Sequence, residues 1–252
     1  MVEDVRRNGQ GSRFSKALVF APHPDDSEFF AGGTMARWAS DGTEVILCVV
    51  TNGAAGSNDP TVEREWLIAT REREQRKAAA ILGVSEVVFL GQEDGFVEDS
   101  HGLRRDLIRE IRRHKPDVVL GPDPSTFYFG QWFLNHPDHR RVGEALLAAV
   151  NPGASTVPLY RAELFDRGFL PHTVKACLLS SATPDYFVDI TNFMDVKVAA
   201  LSAHESQVGG ADGLVGVMRS VARMMAECSD GDYSYAEGFK AFFFASLLRD
   251  PR

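Results

Sequence analysis

The segment Glu44–Val50 (EVILCVV) is apolar at every position after its first. A run of that kind, with no polar alternation, is a strand buried on both faces, as in a parallel sheet covered by helices on either side. The chain around it alternates in the way such a sheet requires. Ala17–Ala21 (ALVFA) reads as a first strand, followed by a helix from about Gly32 to Ser40. After Glu44–Val50 comes the Gly-rich loop 52–58. The Arg-, Glu- and Ala-rich segment Val62–Leu82 then predicts a helix, with Gly83 as its stop. Glu86–Leu90 is a third strand, Gly102–His114 a helix, Asp117–Leu120 a fourth strand and His136–Val150 a helix closed by Pro152-Gly153. This order predicts an α/β fold with a Rossmann-like, doubly wound, mostly parallel sheet. Farther on, Val174–Ser180 and Tyr186–Ile190 read as strands, and Asp195–His204 and Leu214–Glu227 as helices. Phe239–Leu247 is apolar without declaring its type. That last third is expected to be an elaboration of one domain over residues 16–252, with residues 1–15 a flexible leader.

At 252 residues the chain is long enough to bury a large core. Its net charge of −8 excludes a non-specific nucleic-acid binder, which the phosphate backbone would repel. No stretch approaches the roughly 18 apolar residues of a membrane span, and the polar, charged start of the chain is unlike a secretory signal. Cys48, Cys177 and Cys228 are odd in number and widely spaced, so they predict free thiols and a reducing, cytoplasmic setting. A homo-oligomer is compatible with all of this.

Directly after the first strand stands His23-Pro24-Asp25-Asp26-Ser27-Glu28, and at the opening of the fourth helical segment His136-Pro137-Asp138-His139. Gathering one imidazole and three carboxylates within six residues is costly unless a cation or a substrate offsets their repulsion. In doubly wound sheets ligands bind beyond the carboxyl ends of the strands, and both clusters fall there, after the first and fourth. Two His and one Asp meet the needs of a catalytic zinc that keeps a position open for water. Pro137 suits a first helical position, which puts His136 at the helix boundary and His139 in the first turn. One of the two can bind metal while the other faces a substrate. Of Asp25 and Asp26, one can ligate while its neighbour acts as a general base.

The string APHPDDSE…AGGTMARW after a strand, then Arg71-x-x-Glu74 in a helix ending at Leu82-Gly83, then HPDHR, resembles the PIG-L/LmbE-like family. The likeness runs in order over residues 17–150, with a weaker echo at His204-Glu205-Ser206-Gln207. It implies a zinc-dependent N-deacetylase or amidase, with iron(II) as the alternative ion, acting on an N-acetylated amino sugar or glycoconjugate such as an N-acetylglucosamine derivative. It further implies His23, Asp26 and His139 as metal ligands, Asp25 as the base that activates water, and His136 as the group that stabilises the oxyanion or protonates the amine. Asp138 would orient His136 and Glu28 would support the ligands. Arg71 would meet substrate, and Asp94 would bind a sugar hydroxyl.

Other readings stand beside this one. Within the family, the amine could be a thiol conjugate or an antibiotic. His23-Pro24-Asp25 with a distant His also has the form of the non-haem iron triad, though such sites sit on antiparallel jelly rolls. A nucleotide-binding module lacks its glycine fingerprint here. Asp25 or Asp26 could simply cap a helix. Gly32-Gly33 is expected to permit close helix packing. Phe127, Tyr128, Phe129 and Trp132 form either core or an aromatic wall, and the sequence does not choose between them.

Overall fold

The computed structural model describes residues 14–131, 133–209 and 212–244. Strand β1 (Lys16–Ala21) pairs in parallel with β2 (Glu44–Thr51) on one side and with β4 (Val118–Pro122) on the other, and β2 pairs in parallel with β3 (Glu86–Gln92). Side chains part alternately to the two faces. Val45, Leu47 and Val49 of β2 enter one core layer, while Ile46, Cys48 and Val50 enter the other. Both layers are needed, because an apolar run without alternation has no face to give to water.

The first layer is covered by α1 (Asp26–Ser40) and α2 (Arg64–Leu82), the second by α3 (His101–His114) and α4 (Pro137–Ala148). Local chemistry sets their ends. Ser100 caps α3 by accepting the Leu103 N–H at 3.1 Å, and Gly83 ends α2 in the left-handed conformation (φ 77°). Two helices differ in extent from what the sequence suggests, one at its start and one at its end. The helix expected from Gly32 begins at Asp26, because Asp26 and Glu28 are favourable in a first turn. The helix expected to run to Val150 stops as α-helix at Ala148 and continues as a wider turn over Ala149–Gly153, where Pro152 supplies no N–H.

After α4 the chain forms β7 (Ala176–Ser180) beside β4, then β8 (Tyr186–Asp189). Helices α5 (Met194–Ser202), the short α6 (Glu205–Val208) and α7 (Asp212–Glu227) precede β9 (Ala236–Phe243). The undeclared apolar segment Phe239–Leu247 thus contributes to β9 over its described part; residues 245–247 lie outside the described residues. β9 inserts antiparallel between β7 and β8, giving the order β3-β2-β1-β4-β7-β9-β8. The sheet is therefore mixed, with five parallel strands and an antiparallel C-terminal edge. An unanticipated hairpin of β5 (Tyr128–Phe129) and β6 (Phe133–Leu134) stands apart from it.

Of the expected leader, residues 1–13 lie outside the described residues. Phe14 and Ser15 belong to the folded body. Phe14 is buried with its ring 5.7 Å from that of Trp38, and the Ser15 N–H donates to Asp117 at 2.7 Å. Cys48 and Cys177 are buried free thiols and Cys228 is an exposed one. No helix among the described residues is long and apolar enough to cross a membrane.

Glu237 on β9 binds the C-terminal part to the first half. Its carboxylate accepts the N–H groups of Gly33 (2.9 Å) and Thr34 (2.7 Å) of α1 and pairs with Lys197 of α5 at 2.5 Å. Lys197 also donates to the Phe29 carbonyl at 2.7 Å. Gly33 also lets Ile190 pack directly on α1, since a Cβ there would stand 2.7 Å from it. Both partners of the ion pair are buried. Removing one leaves the other charged and unpaired, so Glu237→Ala is expected to cost about 3–5 kcal/mol in urea denaturation.

Candidate metal centre and active site

The first strand points at the crevice where the chain changes direction across the sheet, between the carboxyl ends of β1 and β4. His23 follows β1 by two residues, and α1 begins at Asp26, so the motif is the turn that joins strand to helix. Asp26 Oδ2 accepts the backbone N–H of His23 at 2.8 Å and lies 2.9 Å from His23 Nδ1 and 3.1 Å from His139 Nε2. Ligand atoms of His23, Asp26 and His139 all fall within 4.8 Å of one another. Four-coordinate zinc with bonds near 2.1 Å holds neighbouring donors about 3.4 Å apart, so small adjustments would admit the ion. Two imidazoles and a carboxylate are also the donor types it takes.

The surroundings favour positive charge at this point. Burial opposes a charge on His23, but Asp26, Asp138 and Asp94 outweigh it and push the pKa up to about 12. Burial likewise works against ionised Asp26, while His139 and His23 hold it well below the usual carboxylate range. Asp25 behaves differently. Burial and the neighbouring Asp26 push it up to about 7, against the pull of Arg71, His204 and His23. Asp25 occupies the N-cap position of α1, yet its side chain makes no cap hydrogen bond among the described residues. The capping alternative therefore fails for Asp25.

The remaining sequence-derived residues converge here, several with neighbours other than those the resemblance implies. The Asp138 carboxylate lies 3.2 Å from His23 Nε2 and accepts the Gly95 N–H at 2.7 Å, whereas His136 Nδ1 is 3.8 Å from it. It is the Asp138 main-chain N–H that meets His136 Nδ1, at 3.4 Å. The resulting tautomer of neutral His136 carries its proton on Nε2, and its side chain is 46% exposed. Asp94 is buried, with one oxygen 3.1 Å from His23 Nε2 and the other accepting the Ala55 N–H at 2.9 Å. Two carboxylates thus grip the outer nitrogen of His23, an arrangement that fixes the orientation of a ligating imidazole.

Arg71 is buried beneath the motif. It donates to the carbonyls of Pro24 (2.7 Å) and Gly53 (2.8 Å) and approaches Asp25 Oδ2 at 3.3 Å. The glycine loop closes over it: a Cβ on Gly56 would lie 2.3 Å from Arg71 Nη1. Gln75, absent from the residues that the sequence motifs mark, is fully buried and bridges Asp25 and Glu28. Its signal was the spacing of four from Arg71, which puts both on one side of α2. Glu28 in turn lies 3.4 Å from the buried His204. The C-terminal echo therefore reaches the site from behind.

Phe127, Tyr128, Phe133 and Leu134 are exposed, Leu134 to 83%, so the aromatic cluster is not core. Trp132, which belongs to that cluster, lies outside the described residues. The base of the β5–β6 hairpin is fixed by polar contacts. Asn135 Nδ2 donates to the Thr126 carbonyl at 2.7 Å, and Asp123 accepts from the Ser125 N–H (2.8 Å) and hydroxyl (2.6 Å).

Comparison with known proteins agrees in extent with these elements. The family model described as GlcNAc-PI de-N-acetylase (PIG-L) matches residues 18–150, from β1 to just past the end of α4. Diacetylchitobiose deacetylase of Thermococcus kodakarensis is 33% identical over 205 residues, covering 81% of this chain and 74% of its own. A probable N-acetyl-alpha-D-glucosaminyl L-malate deacetylase of Bacillus anthracis is 30% identical over 195 residues, 75% of this chain and 80% of that one. Among solved structures, the N,N'-diacetylchitobiose deacetylase from Pyrococcus horikoshii superposes with a TM-score of 0.84 at 30% identity. That match covers 91% of this chain and 84% of the other.

The hairpin base yields a pH-dependent expectation. Burial works against ionised Asp123, but hydrogen bonds from Ser125, Ser181 and Thr126 prevail and lower its pKa. A carboxylate lowered on folding stabilises above its unfolded pKa, and that contribution is lost as pH falls through the folded value. Asp123→Asn is therefore expected to lower the urea midpoint at pH 7, with the deficit closing in acid below the usual carboxylate range. Parallel curves at all pH values would contradict this.

Proposed function

The chain belongs to the PIG-L (GlcNAc-PI de-N-acetylase) family, and on that footing we propose that it is a metal-dependent hydrolase removing the N-acetyl group from an N-acetylglucosamine unit. The carrying observation is the convergence of His23, Asp26 and His139 on one point with the uncapped carboxylate of Asp25 beside it. In this reading His23, Asp26 and His139 hold zinc. When bound, the ion supplies Lewis acidity, lowering the pKa of water from ~16 towards ~7 and polarising the acyl carbonyl.

The protein's own groups do the rest. Asp25 accepts the proton of the attacking water, with Arg71 steadying its carboxylate from 3.3 Å. His136, at the N-terminus of α4 with its Nδ1 facing the Asp138 N–H and its proton on Nε2, donates to the oxyanion that develops on the acetyl oxygen. The proton held by Asp25 then passes to the nitrogen as the C–N bond breaks. Acetic acid and the free amine leave, the acid losing its remaining proton to solvent, and Asp25 is again a carboxylate. Asp94 and Asp138 act by bracing His23, and Arg71 by holding the loop.

The relatives act, by their names, on diacetylchitobiose and on an N-acetylglucosaminyl malate. The apolar hairpin ending two residues before His136 suits a substrate that extends past the reacting sugar, whose C–H face can lie on aromatic side chains. The iron-oxygenase and nucleotide-module readings have no support in a family of de-N-acetylases on a mostly parallel sheet.

Two measurements test this reading. Acetate release from N-acetylglucosamine, diacetylchitobiose and N-acetylglucosaminyl conjugates should fall about 10²–10⁴-fold in Asp25→Asn while the zinc content is retained. Full activity of that variant would overturn the assignment of the base. His139→Ala should lose the metal, and Asp138→Asn should weaken zinc affinity by about 10–100-fold in a chelator competition. Unchanged affinity in both would remove these residues from the site.

A further inference from the structure

Asp25 has backbone angles φ 101° and ψ −29°, a left-handed conformation that a residue with a Cβ adopts only under constraint. The constraint is visible in the peptide unit that precedes it. The carbonyl of Pro24 accepts from Arg71 Nη2 at 2.7 Å, and the N–H of Asp25 donates to Gln75 Oε1 at 2.9 Å. These two groups belong to one rigid plane. Arg71 and Gln75 are spaced by four on α2, so a single face of one helix holds both ends of that plane. Turning the peptide to relieve Asp25 would break both hydrogen bonds inside a buried region, where unpaired polar groups are costly.

The orientation of Gln75 is itself determined. Its Nε2 donates to Glu28 Oε1 at 2.8 Å, and the other oxygen of Glu28 accepts the Ser27 hydroxyl at 2.9 Å. Glu28 lies in the first turn of α1 and is fully buried. Because a carboxylate only accepts, the amide nitrogen of Gln75 must face Glu28, which leaves its oxygen for Asp25. An aspartate at the N-cap ordinarily sits in an extended conformation and spends its carboxylate on the N–H groups of the first turn. Here the left-handed backbone withdraws the carboxylate from that use.

We propose that Gln75 is a positioning residue which, together with Arg71, clamps the Pro24–Asp25 peptide and diverts Asp25 from capping α1 to facing the reacting water. The proposal deepens the deacetylase reading and rests on it for the role of Asp25, but the clamp itself can be tested without any assay of activity. Among the described residues the side chain of Gln75 hydrogen-bonds to Asp25 and Glu28 and to none of the ligand atoms of His23, Asp26 and His139, so its removal reaches the site through those two residues.

The decisive experiment is a stability cycle on the full chain, followed in urea. With the clamp intact, Asp25→Gly should unfold at a higher urea midpoint than Asp25→Asn, because glycine accepts φ 101° without a Cβ penalty and both changes remove the same charge. In a Gln75→Leu background that advantage of glycine over asparagine should shrink or reverse. The same advantage in both backgrounds would overturn the clamp, whatever the protein hydrolyses. In parallel, kcat per folded, zinc-loaded Gln75→Leu protein should drop by about tenfold or more with KM within about twofold, as expected when a base is misaimed and substrate binding is untouched. An unchanged kcat would show that Asp25 needs no such positioning. Should Gln75→Leu not fold, Gln75→Met, whose flexible chain fills the same space and makes neither hydrogen bond, carries both measurements.

Discussion

Four carboxylates crowd the mouth of one crevice, and their mutual repulsion is the constraint that the surrounding structure answers. Asp26, Asp94 and Asp138 all contact the ring of His23, and Asp25 stands next to Asp26. Positive ends of two helices help to hold them. Asp26 is the first residue of α1 and Asp138 lies in the first turn of α4, where the helix dipole favours negative charge. Main-chain N–H groups of Ala55, Gly95 and Val97 take up further carboxylate oxygens. What is left over is a demand for positive charge between His23 and His139, which is what makes the place suitable for a divalent cation.

The parallel sheet brings this about by its connectivity. β1 sits between β2 and β4, so the loops after β1 and β4 leave the sheet side by side although more than a hundred residues separate them in sequence. α2 supplies a third wall. Its Arg71 and Gln75 support the His23–Glu28 turn from below, and its Lys77 and Glu74 reach Glu205 and Ser206 at the start of α6. The C-terminal part is therefore tied to the site through α2 and through the buried Lys197–Glu237 pair, beyond the segment that the family model matches.

The same arrangement separates a part of the site built on strand ends and helix starts from a part carried on a hairpin. His23, Asp25, Asp26 and His139 are set by strand ends and helix starts, which move little. The β5–β6 hairpin is fastened at its base through Asp123, Thr126 and Asn135, and offers exposed apolar side chains at its strands. Loops carried on a rigid scaffold in this way are where specificity is most readily altered without disturbing the chemistry.

The amino-acid sequence by itself determined the alternation of strands and helices, the two-sided burial of β2 and the pairing of the two His/Asp clusters. Each follows from local composition: apolar runs without alternation, residues that start or stop helices, and charged groups gathered where packing gives them no place. The family resemblance singled out His23, Asp26 and His139, which the fold does bring to one point. Tertiary structure alone decided that Asp138 and Asp94 turn to His23, and that Arg71 is spent on main-chain carbonyls. It also decided that Gln75 holds the peptide before Asp25, and that β9 runs antiparallel between β7 and β8. These depend on which segments meet across the sheet. A carboxylate, a guanidinium or an amide has the same local signature whether it faces a sugar, a histidine or a peptide bond, so only the packing of distant elements selects its partner.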